Sequence, residues 1–165
     1  MIDRARQNLA GTAGTAEQCA LGDWSWPPEQ FDLVTSRLAL HYIADLGALL
    51  HGVRRTLRPG GRLVYSVEHP VITAFDNPGD DDAPSGHWTV DNYFVTGPRV
   101  TAWLGGEVIK YHRTVEDHVA ALLAAGFAVR NLRESRPDRA HIADAATFAS
   151  RQRVPLFLFM AAERT

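Results

Sequence analysis

Apolar and polar positions along this chain repeat in two periods, one helical and one alternating. Ile2, Ala5 and Leu9 fall on one helical face, and Gly11-Thr12-Ala13-Gly14 ends the segment. Residues 18–21 read as a short strand closed by Gly22-Asp23, followed by the loop Trp24-Ser25-Trp26-Pro27-Pro28, which cannot continue regular structure. Residues 31–36 (FDLVTS) predict a buried strand. Leu46, Leu49, Leu50, Val53 and Leu57 then recur at helical spacing, with Asp45 placed as the N-cap. Arg58-Pro59-Gly60-Gly61 predicts a sharp turn, and residues 62–68 a second strand that is apolar on both faces. Strand, helix, Pro-Gly-Gly and strand together make the pattern of a parallel βαβ crossover.

Thr114-Val115-Glu116-Asp117 opens another helix with a capping-box start. Its expected inner stripe is Val115, Val119, Leu122 and Leu123, and Gly126 stands where a left-handed C′ residue is wanted. Residues 127–132 and 154–161 predict the last two strands, with a loop and a short polar helix between them over residues 136–153. The fold class is α/β. Residues 70–113 show no βαβ continuation but hold Phe75, Trp88, Tyr93, Phe94, Trp103 and Tyr111. A connection of that length reads as a lid or inserted element, with aromatics that bury against the sheet or around a ligand.

The chain has 165 residues and is 45% hydrophobic, enough for one domain with a core. Seventeen basic and 19 acidic residues give a net charge of -2, and Lys110 is the only lysine. That balance gives no electrostatic reason to expect nucleic acid or an anionic membrane as partner. Cys19 stands alone, and the histidines show no ligand spacing, so neither a disulfide framework nor a metal site is expected. No apolar run follows the N-terminal charges and none is long enough to span a bilayer, so the expected location is cytoplasmic.

Several pieces in order carry a resemblance: Gly22-Asp23, Phe31-Asp32-Leu33-Val34, the run Leu38 to Asp45, Leu57-Arg58-Pro59-Gly60-Gly61-Arg62-Leu63, and Ala125-Gly126-Phe127. Together they resemble the class I S-adenosylmethionine-dependent methyltransferases, in particular the small type 11 group. Ser66-Val67-Glu68-His69-Pro70 and Tyr111-His112-Arg113-Thr114 resemble a bacterial subgroup. The resemblance implies a Rossmann-like sheet, S-adenosylmethionine as cofactor and a small-molecule methyl acceptor. That family opens with a strand ending in a glycine-rich loop and a second ending in an acidic residue. Neither motif is in this sequence, so the reading is a partial methyltransferase domain over residues 1–165. It lacks the first two strands and the glycine-rich loop, and residues 70–113 are its lid.

By that resemblance Asp23 accepts from the adenine amino group and Trp24 lies beside the ring; from the residues alone, Asp23 equally caps a turn after Gly22. By the same resemblance Ser36, Arg37 and Leu38 line the methionine end of the cofactor, with His41 beside them; from the residues alone the stretch is an ordinary strand-to-helix turn with Leu38 in the core. His41, Tyr42 and His69 are the candidate catalytic groups, His41 and His69 for proton transfer and Tyr42 for orienting an acceptor. Glu68 and His69 are consecutive on a strand and so point to opposite faces. Trp103, Tyr111 and His112 are the candidate acceptor-binding residues, or else they pack. Methyl transfer itself depends mainly on positioning, so the lack of a catalytic constellation is neutral.

A second reading is a non-catalytic remnant acting as a binding or assembly module, its exposed sheet edges open to a second copy of the chain. A nicotinamide-dependent oxidoreductase is disfavoured, because no GxGxxG follows a strand and Gly106 stands four residues before Lys110.

Overall fold

The structure is a computed structural model describing residues 2–74, 90–103 and 105–165, with Trp103 described by its backbone only. Phe75, Trp88 and His87 lie outside the described residues. In chain order the elements are α1 (Ile2–Leu9), β1 (Phe31–Arg37), a 3-10 turn (Leu40–Tyr42), α2 (Leu46–Thr56) and β2 (Leu57–Glu68). After them come α3 (Pro70–Thr73), β3 (Gly97–Trp103), β4 (Gly106–His112), α4 (Val115–Ala124), β5 (Phe127–Glu134), α5 (Ala145–Arg151) and β6 (Phe157–Arg164). Four strands form one sheet in the order β1-β2-β6-β5, and β3 and β4 form a separate hairpin.

The βαβ expectation holds: β1 and β2 pair in parallel and α2 connects them. Asp45 caps α2 by accepting the Ala48 N–H at 2.8 Å. The expected turn at residues 58–61 lies inside β2, as an irregularity in which Phe31 faces Leu57 but Leu33 faces Arg62. Gly60, at φ +75, absorbs that excursion. Thr114 and Asp117 form the reciprocal capping box of α4, and Gly126 ends that helix at φ +80.

One face of the sheet is packed. Leu49, Leu50 and Val53 of α2 and Leu122 of α4 meet Leu63, Tyr65 and Val67 of β2 and Leu158 and Met160 of β6. Each such leucine contributes roughly 2 kcal/mol by leaving water. No described helix is long and apolar enough to cross a membrane.

Three expectations need correction. Residues 18–21 are not a strand; they run into a turn at Leu21–Asp23, because no described strand lies beside them to complete a ladder. The strand at residues 31–37 is not buried: among the described residues it is an edge strand paired on one side only, and Leu33 is 54% exposed. Leu123 faces solvent, and the inner stripe of α4 uses His118 instead.

The described part of residues 70–113 holds a regular hairpin of β3 and β4. Its alternation is inverted: Arg99 and Lys110 are buried opposite one another, while Val100 and Ile109 are paired on the outer side and exposed. A hydrophobic-in, polar-out template does not find such strands.

Candidate functional site

Ligands of open α/β sheets are held beyond the carboxyl ends of the parallel strands, here β1 and β2. Ser36 and Arg37 close β1, and Leu38 follows it in the left-handed region at φ +50, which costs a non-glycine residue about 1 kcal/mol. The conformation persists because the Leu38 N–H donates to the Ser66 carbonyl at 2.9 Å and reaches Ser66 Oγ at 3.3 Å. The chain then turns through Leu40–Tyr42, burying His41 to 4% exposure while Tyr42 stays partly exposed.

The His41 ring is fixed from two sides. Its Nδ1 accepts the backbone N–H of Glu68, the last residue of β2, at 3.4 Å, and its centroid lies 4.3 Å from that of Tyr42. The Glu68 carboxylate receives both available bonds from Lys110 Nζ, at 2.7 and 3.0 Å, so β4 is tied to the end of β2. Burial holds His41 below the ordinary imidazole range; the Glu68 carboxylate opposes that effect and Lys110 adds to it. Arg113, just past β4, donates from Nη2 to the carbonyls of Ile43 and Ala44, both at 2.7 Å. The hairpin and its exit therefore clamp the turn that carries His41 and Tyr42.

His69 has other duties. Its Nδ1 accepts the Val71 N–H at 3.2 Å and so caps α3, and its Nε2 donates to Glu134 at 3.0 Å. Glu68 and His69 point apart, one to Lys110 and the other to Glu134. His112 is fully buried, with Nε2 donating to the Tyr93 carbonyl at 2.9 Å and Nδ1 accepting from Thr73 Oγ1 at 2.7 Å. Burial lowers the pKa of both imidazoles. Tyr111 lies beside Lys110 with the Arg113 guanidinium 5.8 Å from its ring, and Trp103 ends β3 at the hairpin tip. Among the described residues no group of three metal-ligating side chains exists.

The residues expected to hold S-adenosylmethionine fall into two groups. Asp23 is exposed, its N–H donating to the Ala20 carbonyl at 2.9 Å within a turn. The Trp24 ring lies 4.7 Å from Trp26 and 6.2 Å from Phe31, the first residue of β1. The loop is held there, at the amino end of the sheet, by the Pro27 carbonyl accepting from Thr56 Oγ1 at 2.6 Å. Ser36, Arg37, Leu38 and His41 stand at the other end of β1. Six residue steps of extended chain separate the two groups by roughly 20 Å. They do not converge on one cofactor site in this structure.

Sequence reasoning passed over Lys110 and Arg113. The available signal was that the chain's only lysine shares one face of an alternating stretch with Val108 and His112.

Comparison with known proteins places the chain. The family model described as "Methyltransferase domain" matches residues 1–65. The chain is 40% identical to an S-adenosylmethionine-dependent methyltransferase of Mesorhizobium loti, with a TM-score of 0.89, covering 99% of this chain and 76% of that one. A Listeria monocytogenes structure assigned to the same enzymes is 32% identical, with a TM-score of 0.84, covering 100% of this chain and 76% of its own. A protein of Haemophilus influenzae is 29% identical over 112 residues, which is 66% of this chain and 44% of that protein. The chain thus spans less than half the length of the curated relatives it matches. On these likenesses the chain belongs to the S-adenosylmethionine-dependent methyltransferases, enzymes that use S-adenosylmethionine as their cofactor.

Proposed function

We propose that this chain builds the acceptor side of a methyl-transfer site for a small molecule and does not complete the cofactor site by itself. The observation that carries this reading is the division along β1: His41 and Tyr42 stand beyond its carboxyl end while Trp24 packs at its amino end. In this reading Ser36, Arg37 and Leu38 line the approach and His41 and Tyr42 meet the acceptor. The β3–β4 hairpin within the segment read as a lid covers the site, with Tyr111 and Trp103 on it. His112 and His69 hold the cover's frame through their bonds to Tyr93, Thr73 and Glu134. The near-neutral charge favours a small acceptor over nucleic acid. The test is calorimetric titration of S-adenosylhomocysteine into the folded chain. The reading expects no binding tighter than millimolar; a micromolar constant would show that this chain completes the cofactor site and would overturn that part of the proposal.

A second reading, a non-catalytic binding or assembly module, draws support from the open face of the sheet, where Leu33, Val64 and Phe159 are each 40% exposed or more. Light scattering at increasing concentration tests it. A strictly monomeric chain would remove its support.

A further inference from the structure

The His41 cluster contains more information than the presence of an imidazole near a strand end. Three elements meet there: the Leu40–Tyr42 turn, the end of β2 and the inner face of β4. The groups that face His41 from them are Tyr42, Glu68 and Lys110, with His118 of α4 behind and Arg99 opposite Lys110 across the hairpin. A backbone N–H can only donate, so the bond from Glu68 to Nδ1 requires a lone pair on Nδ1. The neutral ring then carries its proton on Nε2, for which the described residues supply no partner. Glu68 is a poor base in its place, since the Lys110 ammonium at 2.7 and 3.0 Å from its two oxygens favours the charged carboxylate.

We infer that Lys110 and Glu68 are positioning residues that lock His41 as a neutral hydrogen-bond donor from Nε2, and that His41 removes no proton from the acceptor. This rests on the acceptor-side reading above. It narrows the acceptor to a small molecule whose nucleophile already has a free lone pair, such as a carboxylate, with an oxygen that can accept from Nε2–H. An acceptor whose nucleophile must be deprotonated by the enzyme would find no imidazole lone pair available. Lys110 is the piece that makes the arrangement possible. Without it the Glu68 carboxylate would stand partly buried and uncompensated beside His41, favouring an imidazolium.

The test is long-range proton–nitrogen NMR of the His41 ring in the chain as it exists, with pH titration, alongside Glu68→Gln, Lys110→Gln and Lys110→Arg. None of these readouts needs cofactor or activity, so a failed S-adenosylhomocysteine titration leaves them interpretable. The wild-type ring should show the Nε2–H tautomer and stay neutral at pH 6.5. Its titration midpoint should move down in Glu68→Gln and up in Lys110→Gln, and Lys110→Arg should restore the wild-type midpoint. A residue that merely packs would not move the midpoint. A proton on Nδ1, an imidazolium at pH 7, or a midpoint unchanged in both Gln variants would overturn the inference. Should Lys110→Gln fail to fold, the wild-type tautomer and the Glu68→Gln midpoint decide it.

Discussion

Trp26 occupies the space that a side chain at Gly52 would need: a β-carbon built there would stand 2.9 Å from three atoms of the indole. A glycine in the middle of α2 costs about 1 kcal/mol against alanine in helix propensity, so Gly52→Ala would ordinarily stabilise. Here the ring atoms involved lie near the base of the side chain and cannot swing clear while Thr56 Oγ1 holds the Pro27 carbonyl. Overpacking of this kind costs roughly 1–3 kcal/mol. The expected result for Gly52→Ala is therefore a net loss of about 1 kcal/mol, with a tryptophan emission shift reporting displacement of Trp24 and Trp26. Urea unfolding followed by fluorescence measures both, and a raised midpoint would contradict the packing argument.

Stability should fall steeply on the acid side of neutrality. Burial lowers the pKa of His41, His69 and His112, and takes His118 from 6.5 to about 4 with help from Arg113. A histidine with a depressed folded pKa binds fewer protons folded than unfolded. Its contribution is therefore complete above pH 6.5 and is lost as the pH falls from there toward the folded value. For His118 alone the loss approaches about 3 kcal/mol by pH 4. Its Nδ1 accepts from the Tyr65 hydroxyl, whose own ionisation burial opposes, so the pair stays neutral through the physiological range. Urea midpoints at pH 8, 6.5 and 5 should fall slightly across the first interval and steeply across the second. His118→Gln should be less stable at pH 8 but show a shallower drop.

Arg113 is expected to order the turn bearing His41 and Tyr42. One guanidinium nitrogen serves two carbonyls, Ile43 and Ala44, from a site behind β4. Lysine can offer its ammonium to the same carbonyls but on a shorter side chain, so it replaces the contact only in part. Arg113→Met should cost about 2 kcal/mol and Arg113→Lys about half that. The local signature is hydrogen exchange at the Tyr42 and Ile43 amides, which donate to Ala39 and Leu40 at 3.0 and 3.2 Å. Both should exchange faster in the variants, ahead of the amides of β2. Uniform acceleration across the chain would mean that Arg113 supports global stability only.

Much of the frame was legible in the sequence. The Asp45 and Thr114 caps, the Gly126 stop and the α2 stripe each depend on neighbours within one turn of helix, and local chemistry decides them. What the sequence hid depends on partners distant in the chain. Residues 18–21 have strand-like composition but no ladder partner among the described residues. His69 looked available until Glu134, 65 residues away, engaged its Nε2. Lys110 carried no site role in the sequence because its place there is set by Glu68, 42 residues upstream.

The open edge of β1 supplies the last prediction. Its seven residues pair with β2 on one side, and Leu33 projects 54% exposed on the sheet face that also carries Val64 and Phe159. An edge strand with unpaired amides and an apolar flank is a template for further strand pairing. Asp32, the one acidic residue of the strand, is partly neutralised by Arg58 at 2.6 Å, so charge does little to protect this edge. Leu33→Lys should leave the fold intact, because the packed face is formed by other residues and the change exposes rather than buries a charge. It should also lower the self-association seen by light scattering at high concentration. Val34→Lys, one residue along and on the packed side, should instead destabilise the chain, since Val34 packs against the core. If both substitutions reduced stability alike, β1 would be covered on both faces in solution and its open side would not be free. If Leu33→Lys left association unchanged while Arg58→Glu altered it, the contact would be electrostatic, and the apolar edge would not be the surface through which copies of this chain meet.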